Sequence, residues 1–367
     1  MSKLEELIQQ YCSDGVEWKT LGEATIMKRG TSATKGIMQE GNIPVISGGR
    51  QPAYYCNISN RTGEVITVAG SGAGAGYVQY WNEPIFVCDA FSIQGNETLK
   101  TKYVYYVLSS IQEKIYSTKK GGGVPHVHIS SIDKFEIPVP PLPVQEEIVR
   151  ILDAFTELQA ELQAELQKRK QQYNYYRDNL LSNGGNNAEY LAIPEFAELK
   201  AGKAIKATEL SSIMDENHSY PCFGGNGIRG FIKKASHNGD YAIIGRQGAL
   251  CGCVNWASGE FYATEHAVVC TPRFNVSSRY LYHLFTIADL NQYKSQGAQP
   301  GLSVQRLNEL VFPIPSIAEQ QRIVSILDRF DRLTNDLNAG LPAEIEKRKQ
   351  QYEYYRDKLL TFKRKGA

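Results

Sequence analysis

With 367 residues the chain is long enough for two or three domains, each large enough for a core of its own. A net charge of +1, from 40 basic and 39 acidic residues, gives no global attraction to nucleic acid, so any acidic partner has to be held by local patches. Seven cysteines with no paired CxxC, no apolar targeting run at the start and no stretch of eighteen apolar residues exclude a membrane span and predict a reduced, cytoplasmic protein.

Residues 1–16, MSKLEELIQQYCSDGV, predict a short amphipathic helix on Leu4, Leu7, Ile8 and Tyr11, ended by Asp14 and Gly15. From Glu17 the texture turns to short β-type runs punctuated by Gly, Pro and Asn. The clearest strands are IPVIS from Ile43, EVITVAG from Glu64, AGYVQYW from Ala75 and PIFVCDAFSIQ from Pro84. Thr101 to Ser117 is helical by spacing, the loop KKGGGVPHVHIS follows, and FEIPVP from Phe135 closes the segment.

A long helix comes next. No Gly or Pro occurs from Gln145 to Leu181, and Pro138, Pro140, Pro141 and Pro143 end the strand before it. Its seam falls on two interleaved sevens, Ile148, Phe155, Leu162, Arg169, Tyr176 and Leu152, Gln159, Leu166, Tyr173, Leu180, in which only Arg169 and Gln159 are neither apolar nor aromatic.

Residues 189–311 then repeat the order of the first segment at low identity. TGEVITVAGSGAGAGYV lines up with NGDYAIIGRQGALCGCV, which places Gly72 over Gly248 and Gly76 over Gly252, while Pro44, Gly48 and Gly49 line up with Pro221, Gly224 and Gly225. A second helix runs from Gln320 to Leu360 on the seam Ile323, Leu327, Phe330, Leu337, Leu341, Ile345, Tyr352, Tyr355 and Leu359, with four extra residues near Asn338. The insertion carries Gly340 and Pro342, so the helix is expected to break there and restart with Pro342 in its first turn. The two helices are themselves a repeat: KRKQQYNYYRDNLL from Lys168 returns as KRKQQYEYYRDKLL from Lys347, identical at twelve of fourteen positions. Each helix could cover its own domain; a stripe this long is instead expected to pack helix on helix.

No catalytic set is found. Gly70, Gly72, Gly74 and Gly76 give no GxGxxG, no Lys-Ser/Thr follows them, and they lead into a strand rather than a helix, which leaves a tight turn or a close backbone approach. Cys251 and Cys253 flank one Gly without two further ligands at finger-like spacing, so core cysteines are expected and no metal site. His126 and His128 alternate beside Lys119 and Lys120 in a Gly-rich loop; as polar contacts to phosphate or a base edge they need no further partner.

The layout resembles the specificity subunit of bacterial type I restriction-modification enzymes. The residues that carry the resemblance are IPVPPLPVQEEIVRILDAF and FPIPSIAEQQRIVSILDRF, the GLPAEI of Gly340 to Ile345, and both QQYxYYRDxLL segments; GLPAEI has no counterpart in the first helix, which reads ELQAELQ. The resemblance implies an α+β chain: an N-terminal helix (1–16), a mixed α/β target-recognition domain (17–136), a spacer helix (137–188), a second recognition domain (189–311) and a second spacer helix (312–367), the helices packed as an antiparallel coiled coil. Each domain would read one half of a split, asymmetric DNA site. The chain itself would bind no cofactor; two methyltransferase subunits would dock on it with S-adenosylmethionine, and restriction subunits using ATP with Mg would join through them. The competing reading is a coiled-coil adaptor between two protein-binding domains.

Base-reading residues have no fixed motif in that family, so the candidates follow from residue type and loop position. They are Arg29, Lys35, Arg50, Gln51, Lys119, Lys120, His126 and His128 in the first domain, and Arg229, Lys233, Lys234, Arg246, Gln247, Lys294, Gln296 and Gln299 in the second. Arg and Lys suit guanine edges or phosphates, and Gln suits adenine.

Overall fold

A computed structural model describes residues 2–32, 39–121, 123–182, 188–248, 250–295 and 300–366. The chain divides into two compact units, residues 1–163 with 345–367, and residues 164–344.

The first unit opens on α1 (Lys3–Tyr11), started by a capping box in which the Glu5 carboxylate accepts from Ser2 N at 2.7 Å and Ser2 Oγ accepts from Glu5 N at 3.3 Å. β1 (Glu17–Thr20), α2 (Leu21–Ala24) and β2 (Ile26–Arg29) follow, then β3 (Ile43–Ile46), β4 (Tyr54–Cys56), β5 (Val65–Ala69) and β6 (Val78–Trp81). The run PIFVCDAFSIQ is not one strand. It turns at Cys88 and Asp89 between β7 (Phe86–Val87) and β8 (Ala90–Gln94). The helical stretch likewise breaks at Ile111 into α3 (Thr101–Ser110) and α4 (Gln112–Tyr116), and α5 (Ile129–Ile132) and β9 (Glu136–Val139) complete the domain.

A four-stranded antiparallel sheet, β2-β8-β5-β6, is its centre, with a smaller sheet, β4-β3-β7, beside it. β5 is buried at every position because both of its faces are covered. Ile66 and Val68 share a core with Tyr103, Val104 and Val107 of α3, while Val65 points the other way into a cluster with Ile46, Ile85 and Val87. Both ends of the chain close this unit. Val16 N donates to Lys363 O at 2.9 Å, Lys365 N donates to Val16 O at 3.0 Å, and Arg364 holds Glu136 at 2.6 Å.

α6 (Leu142–Ser182) is one helix of 41 residues, about 60 Å long. It is followed by β10 (Glu189–Ala192), α7 (Ile193–Phe196), β11 (Ala197–Ala201), β12 (Tyr220–Gly224), β13 (Gly227–Ile232), β14 (His237–Asn238), β15 (Tyr241–Gly245), β16 (Val254–Ala257), β17 (Glu260–Ala263) and β18 (Ala267–Pro272). Then come α8 (Ser278–Ile287), α9 (Val304–Asn308), β19 (Val311–Ile314), α10 (Ile317–Asn335) and α11 (Gly340–Leu359). The sheet β11-β18-β15-β16 repeats the order of β2-β8-β5-β6, and β12 pairs parallel with β17 as β3 does with β7.

Helix and domain are locked together the same way in both units. Gln145 is fully buried at the start of α6; its Oε1 accepts from Lys100 N at 2.9 Å and its Nε2 donates to Thr98 O and Pro140 O at 2.8 and 2.7 Å. Gln320 does the same for Ser277 N, Asn275 O and Pro315 O. Three backbone groups depend on each amide, so Gln145→Ala or Gln320→Ala is expected to cost about 3 kcal/mol, read as a shift of the denaturant midpoint. About two turns on, Asp153 accepts from Tyr106 Oη at 2.5 Å, and the matching Asp328 lies 2.8 Å from His283 Nε2 and 2.7 Å from Arg279 Nε. Burial opposes it, yet the His283 and Arg279 hydrogen bonds hold the Asp328 carboxyl below its usual range.

α1 has its own lock in the first unit. Glu147 on α6 is buried against Arg150 at 2.7 Å and Lys3 at 2.9 Å. The Arg150 hydrogen bond, helped by Lys3 and opposed by burial, pulls its carboxyl down to about 2. The matching residue of the second unit is Arg322, which pairs with Glu319 instead.

The expected seam divides on inspection. Ile148 and Leu152 are fully buried in the core of the first unit, and Ile323 and Leu327 in that of the second, so these positions cover domains, and the other helix adds to the same cores through Tyr352 and Leu359 in the first unit and Tyr173 and Leu180 in the second. Helix pairing occurs further along: Phe155 lies on Tyr352 and Tyr355 with centroids 6.5 and 5.5 Å apart in the first unit, and Phe330 on Tyr173 and Tyr176 at 6.3 and 5.7 Å in the second. Leu166 is buried, whereas Leu162, Leu180 and Leu359 are half-buried. Leu337 is a correction. It lies between α10 and α11, on no helix, and is 81% exposed because the four-residue insertion takes it off the seam. Gly340 and Pro342 stand in the first turn of α11.

Candidate functional site

The glycine-rich run after β5 is a turn whose carbonyls and amides are satisfied by two neighbouring segments. Gly70 N donates to Asp89 O at 3.0 Å, Val127 N to Gly70 O at 3.0 Å, and Gly72 N to Pro125 O at 3.0 Å. The second unit reproduces the set after β15: Arg246 N to His266 O at 2.9 Å, Leu302 N to Arg246 O at 2.8 Å, and Gly248 N to Pro300 O at 3.0 Å. Gly72 and Gly248 both have positive φ, +77° and +94°, which a side chain would strain. A Cβ on Gly48 would stand 2.2 Å from Ser71 O, and one on Gly225 would stand 2.5 Å from Gln247 O. Gly48 therefore corresponds to Gly225, one place beyond the alignment read from sequence.

Three segments thus meet at one junction in each unit: the glycine turn, the bend before β8 or β18, and the loop before α5 or α9. The frame is shared and the side chains are not. Around the first junction a cleft of about 220 Å³ is lined by Arg29, Asp89, His126 and His128, among others. Asp89 is exposed and accepts from Ser71 Oγ, and the two imidazoles stack with centroids 5.9 Å apart. Around the second junction stand Arg246, Gln247, Glu265 and His266, with Glu265 Oε1 3.1 Å from His266 Nε2.

Among the expected residues, Arg29, His126 and His128 are brought together in that cleft. Lys120 is tied to it, since its amide and carbonyl pair with those of His126 at 3.0 and 2.8 Å. Arg50 and Lys119 form a neighbouring pair on aromatic faces, 4.9 Å from the Tyr77 centroid and 4.1 Å from that of Tyr116. Gln51 is exposed beside Arg50. In the second unit Arg246 and Gln247 sit on the junction itself, Arg229 is exposed on β13 near Gly224, and Lys233 and Lys234 are exposed in the turn before β14. Lys294 Nζ donates to Asn291 Oδ1 at 2.8 Å. Lys35, Gln296 and Gln299 lie outside the described residues.

Sequence reasoning missed Ser71, Asp89, Lys203, Glu265 and His266. Lys203 is exposed at the position that Thr31 holds in the first unit, since Lys203 N donates to Ala263 O as Thr31 N does to Val87 O. The signal for the acids is the pair VCDA and ATEHA, divergent segments in matching places. Of the two cysteines expected in a core, Cys251 is buried and Cys253 only half-buried; Cys222 is buried too, and burial pushes its thiol up to about 11. Among the described residues, no group of three His, Cys, Asp or Glu could hold a metal ion, and no helix is long and apolar enough to cross a membrane.

A second duplicated feature lies on the helices. Of the fourteen matched positions, Gln171 and Gln350, Tyr175 and Tyr354, Tyr176 and Tyr355, and Asp178 and Asp357 are identical and exposed. Tyr175 and Tyr354 stand edge-on to the next tyrosine, with centroids 5.6 and 5.3 Å apart, yet are 66% and 62% exposed, so most of each ring faces outward.

Residues 14–169 and 186–347 each match the family model described as the type I restriction modification DNA specificity domain. The specificity subunit of the type I restriction enzyme EcoprrI from Escherichia coli is 43% identical over 265 residues, which cover 69% of this chain and 66% of that protein. The EcoR124I/EcoR124II specificity subunit from the same species is 31% identical over 419 aligned positions, covering 99% of this chain and 97% of that one. The crystal structure of a type I restriction-modification S subunit from M. genitalium shares the fold, with a TM-score of 0.67 over 94% of this chain and 96% of that one at 19% identity. A chain from a structural study of complex assembly in a type I R-M system superposes with a TM-score of 0.57 at 18% identity, over 94% and 97% of the two chains.

Proposed function

This chain belongs to the type I restriction-modification DNA specificity family, and from that premise we propose that each of its two units reads one half of a split, asymmetric DNA site. It is a recognition component of a multi-subunit system rather than a catalytic one. The observation that carries the half-site reading is the shared junction: one hydrogen-bond frame, built twice, holding out Arg29, Asp89, His126 and His128 in one unit and Arg246, Gln247, Glu265 and His266 in the other. Phosphate contacts position a protein on DNA, whereas differing side chains at a fixed backbone position select bases. Arg50, Gln51, Lys119, Lys120, Arg229, Lys233, Lys234 and Lys294 supply the surrounding phosphate and base-edge contacts.

The duplicated tyrosine face supports docking of one partner at two equivalent places. In this reading the partners are two methyltransferase subunits that bring S-adenosylmethionine, with ATP- and Mg-dependent restriction subunits joining through them in the bacterial cytoplasm. The test is a domain exchange. Replacing residues 17–135 with the corresponding domain of a relative is expected to change one half of the methylated motif and leave the other half and the gap intact, as mapped by long-read detection of modified adenines. A protein-binding adaptor would show no motif to change, and a change in both halves would refute the division of labour.

A further inference from the structure

At the junction the two units agree in one chemical respect beneath their differences: each carries a carboxylate on the bend before β8 or β18, with an imidazole beside it. In the first unit this is Asp89, with His126 and His128 on the same cleft. Its Oδ2 accepts from Ser71 Oγ, and among the described residues its other oxygen has no bonded partner. In the second unit it is Glu265, whose Oε1 meets His266 Nε2 at 3.1 Å. Among the described residues, Glu265 Oε2 and His266 Nδ1 are enclosed with no hydrogen-bond partner. A buried acceptor without a donor is a cost to the fold of about 1–3 kcal/mol. The Glu265 side chain is still 39% exposed, so it is free to turn outward and recover that cost against an incoming donor.

An acid on a DNA-facing surface works against the phosphates unless cations stand near it and it has a donor to meet. Arg29 lines the Asp89 cleft, and Arg246 is bonded through its amide to the bend that carries Glu265. The donors a carboxylate can meet on base edges are the amino groups of cytosine N4 and adenine N6; thymine O4 and guanine O6 present acceptors at the same place. An ionised carboxylate is an acceptor only, so it rewards an amino group and rejects a keto oxygen.

Resting on the half-site reading above, we propose that Asp89 and Glu265 are specificity-determining residues, each selecting adenine or cytosine, by the amino group on its major-groove edge, at one position of its unit's half-site and excluding guanine and thymine there. The test uses the full methyltransferase complex in a host, comparing modification at the motif with modification at single-base derivatives of it. The wild-type complex is expected to modify the amino-to-keto derivative at less than about one tenth of the motif rate, within the ~5–150-fold range such contacts give. Glu265→Gln, whose amide both donates and accepts, should bring that derivative to within about 3-fold of the motif at one position of one half-site, and Glu265→Asp should keep the wild-type preference. Asp89→Asn should do the same in the other half-site only.

Because the ratio is taken among sites modified by the same complex, a smaller amount of folded protein cancels out. Ratios unchanged within 2-fold in both variants would overturn the proposal, as would a loss spread evenly over all positions. If neither variant assembles, the carboxylates brace the fold and the proposal falls. A wild-type complex with no split motif would instead refute the half-site reading beneath it.

Discussion

Leu152→Asp is expected to collapse the first unit and Leu327→Asp the second, each alone, with loss of soluble complex and of its thermal transition. Both leucines are 0% exposed, one among Ile148, Val144 and Tyr106, the other among Ile323, Tyr280 and Leu284. Losing the leucine forfeits about 2–3 kcal/mol of burial, and enclosing an unpaired carboxylate adds several more. The sum is comparable with the whole stability of an ordinary domain, about 5–15 kcal/mol. Leu337→Asp is the control: at 81% exposure it should move the transition by less than about 0.5 kcal/mol. Three leucines read from sequence as one seam should therefore give two failures and one silent change. A folded Leu152→Asp protein would mean that α6 does not cap the first core.

That contrast shows where sequence stops being informative. A heptad-like stripe reports which face of a helix is buried, and Ile148, Leu152, Ile323 and Leu327 are buried. It does not report against what, since a domain and a partner helix require the same apolar positions. Phe155 and Phe330 do meet aromatics of another helix, one step along the same stripe. The break in the second helix was legible because Gly340 and Pro342 leave a local mark, and so was the tight turn at Gly70–Gly76, which is fixed by positive φ at Gly72 and Gly76. The junction was legible only in part. Its frame is made of backbone hydrogen bonds between segments far apart in the chain, Gly72 with Pro125 and Gly248 with Pro300 across more than fifty residues, Gly70 with Asp89 and Arg246 with His266 across about twenty, and these leave no residue signature beyond the prolines and glycines. The acids at its centre were missed because a search for nucleic-acid contacts by residue type looks for positive charge, although base edges offer donors as well as acceptors.

α6 itself provides the second large effect. It runs unbroken from Leu142 to Ser182, and the division between the units falls inside it, between Gln163 and Ala164. The tetrapeptide ELQA occurs at Glu157–Ala160 and again at Glu161–Ala164, a tract with no fully buried residue, flanked by the buried Leu152 and Leu166. A third ELQA can therefore enter without disturbing either core. It lengthens the helix by about 6 Å and turns everything beyond it by about 400°, a net ~40°. One base pair advances about 3.4 Å and rotates about 35°, so the rotation matches one base pair while the rise is nearer two. A recognition unit has to face its groove before it can read it, and rotation therefore decides. With three copies the gap between the half-sites is expected to grow by one base pair, with one copy to shrink by one, and in both cases the half-sites stay as they are. The check is modified-motif mapping in strains carrying one, two and three copies; a gap that stays constant across all three would mean that α6 does not set the spacing.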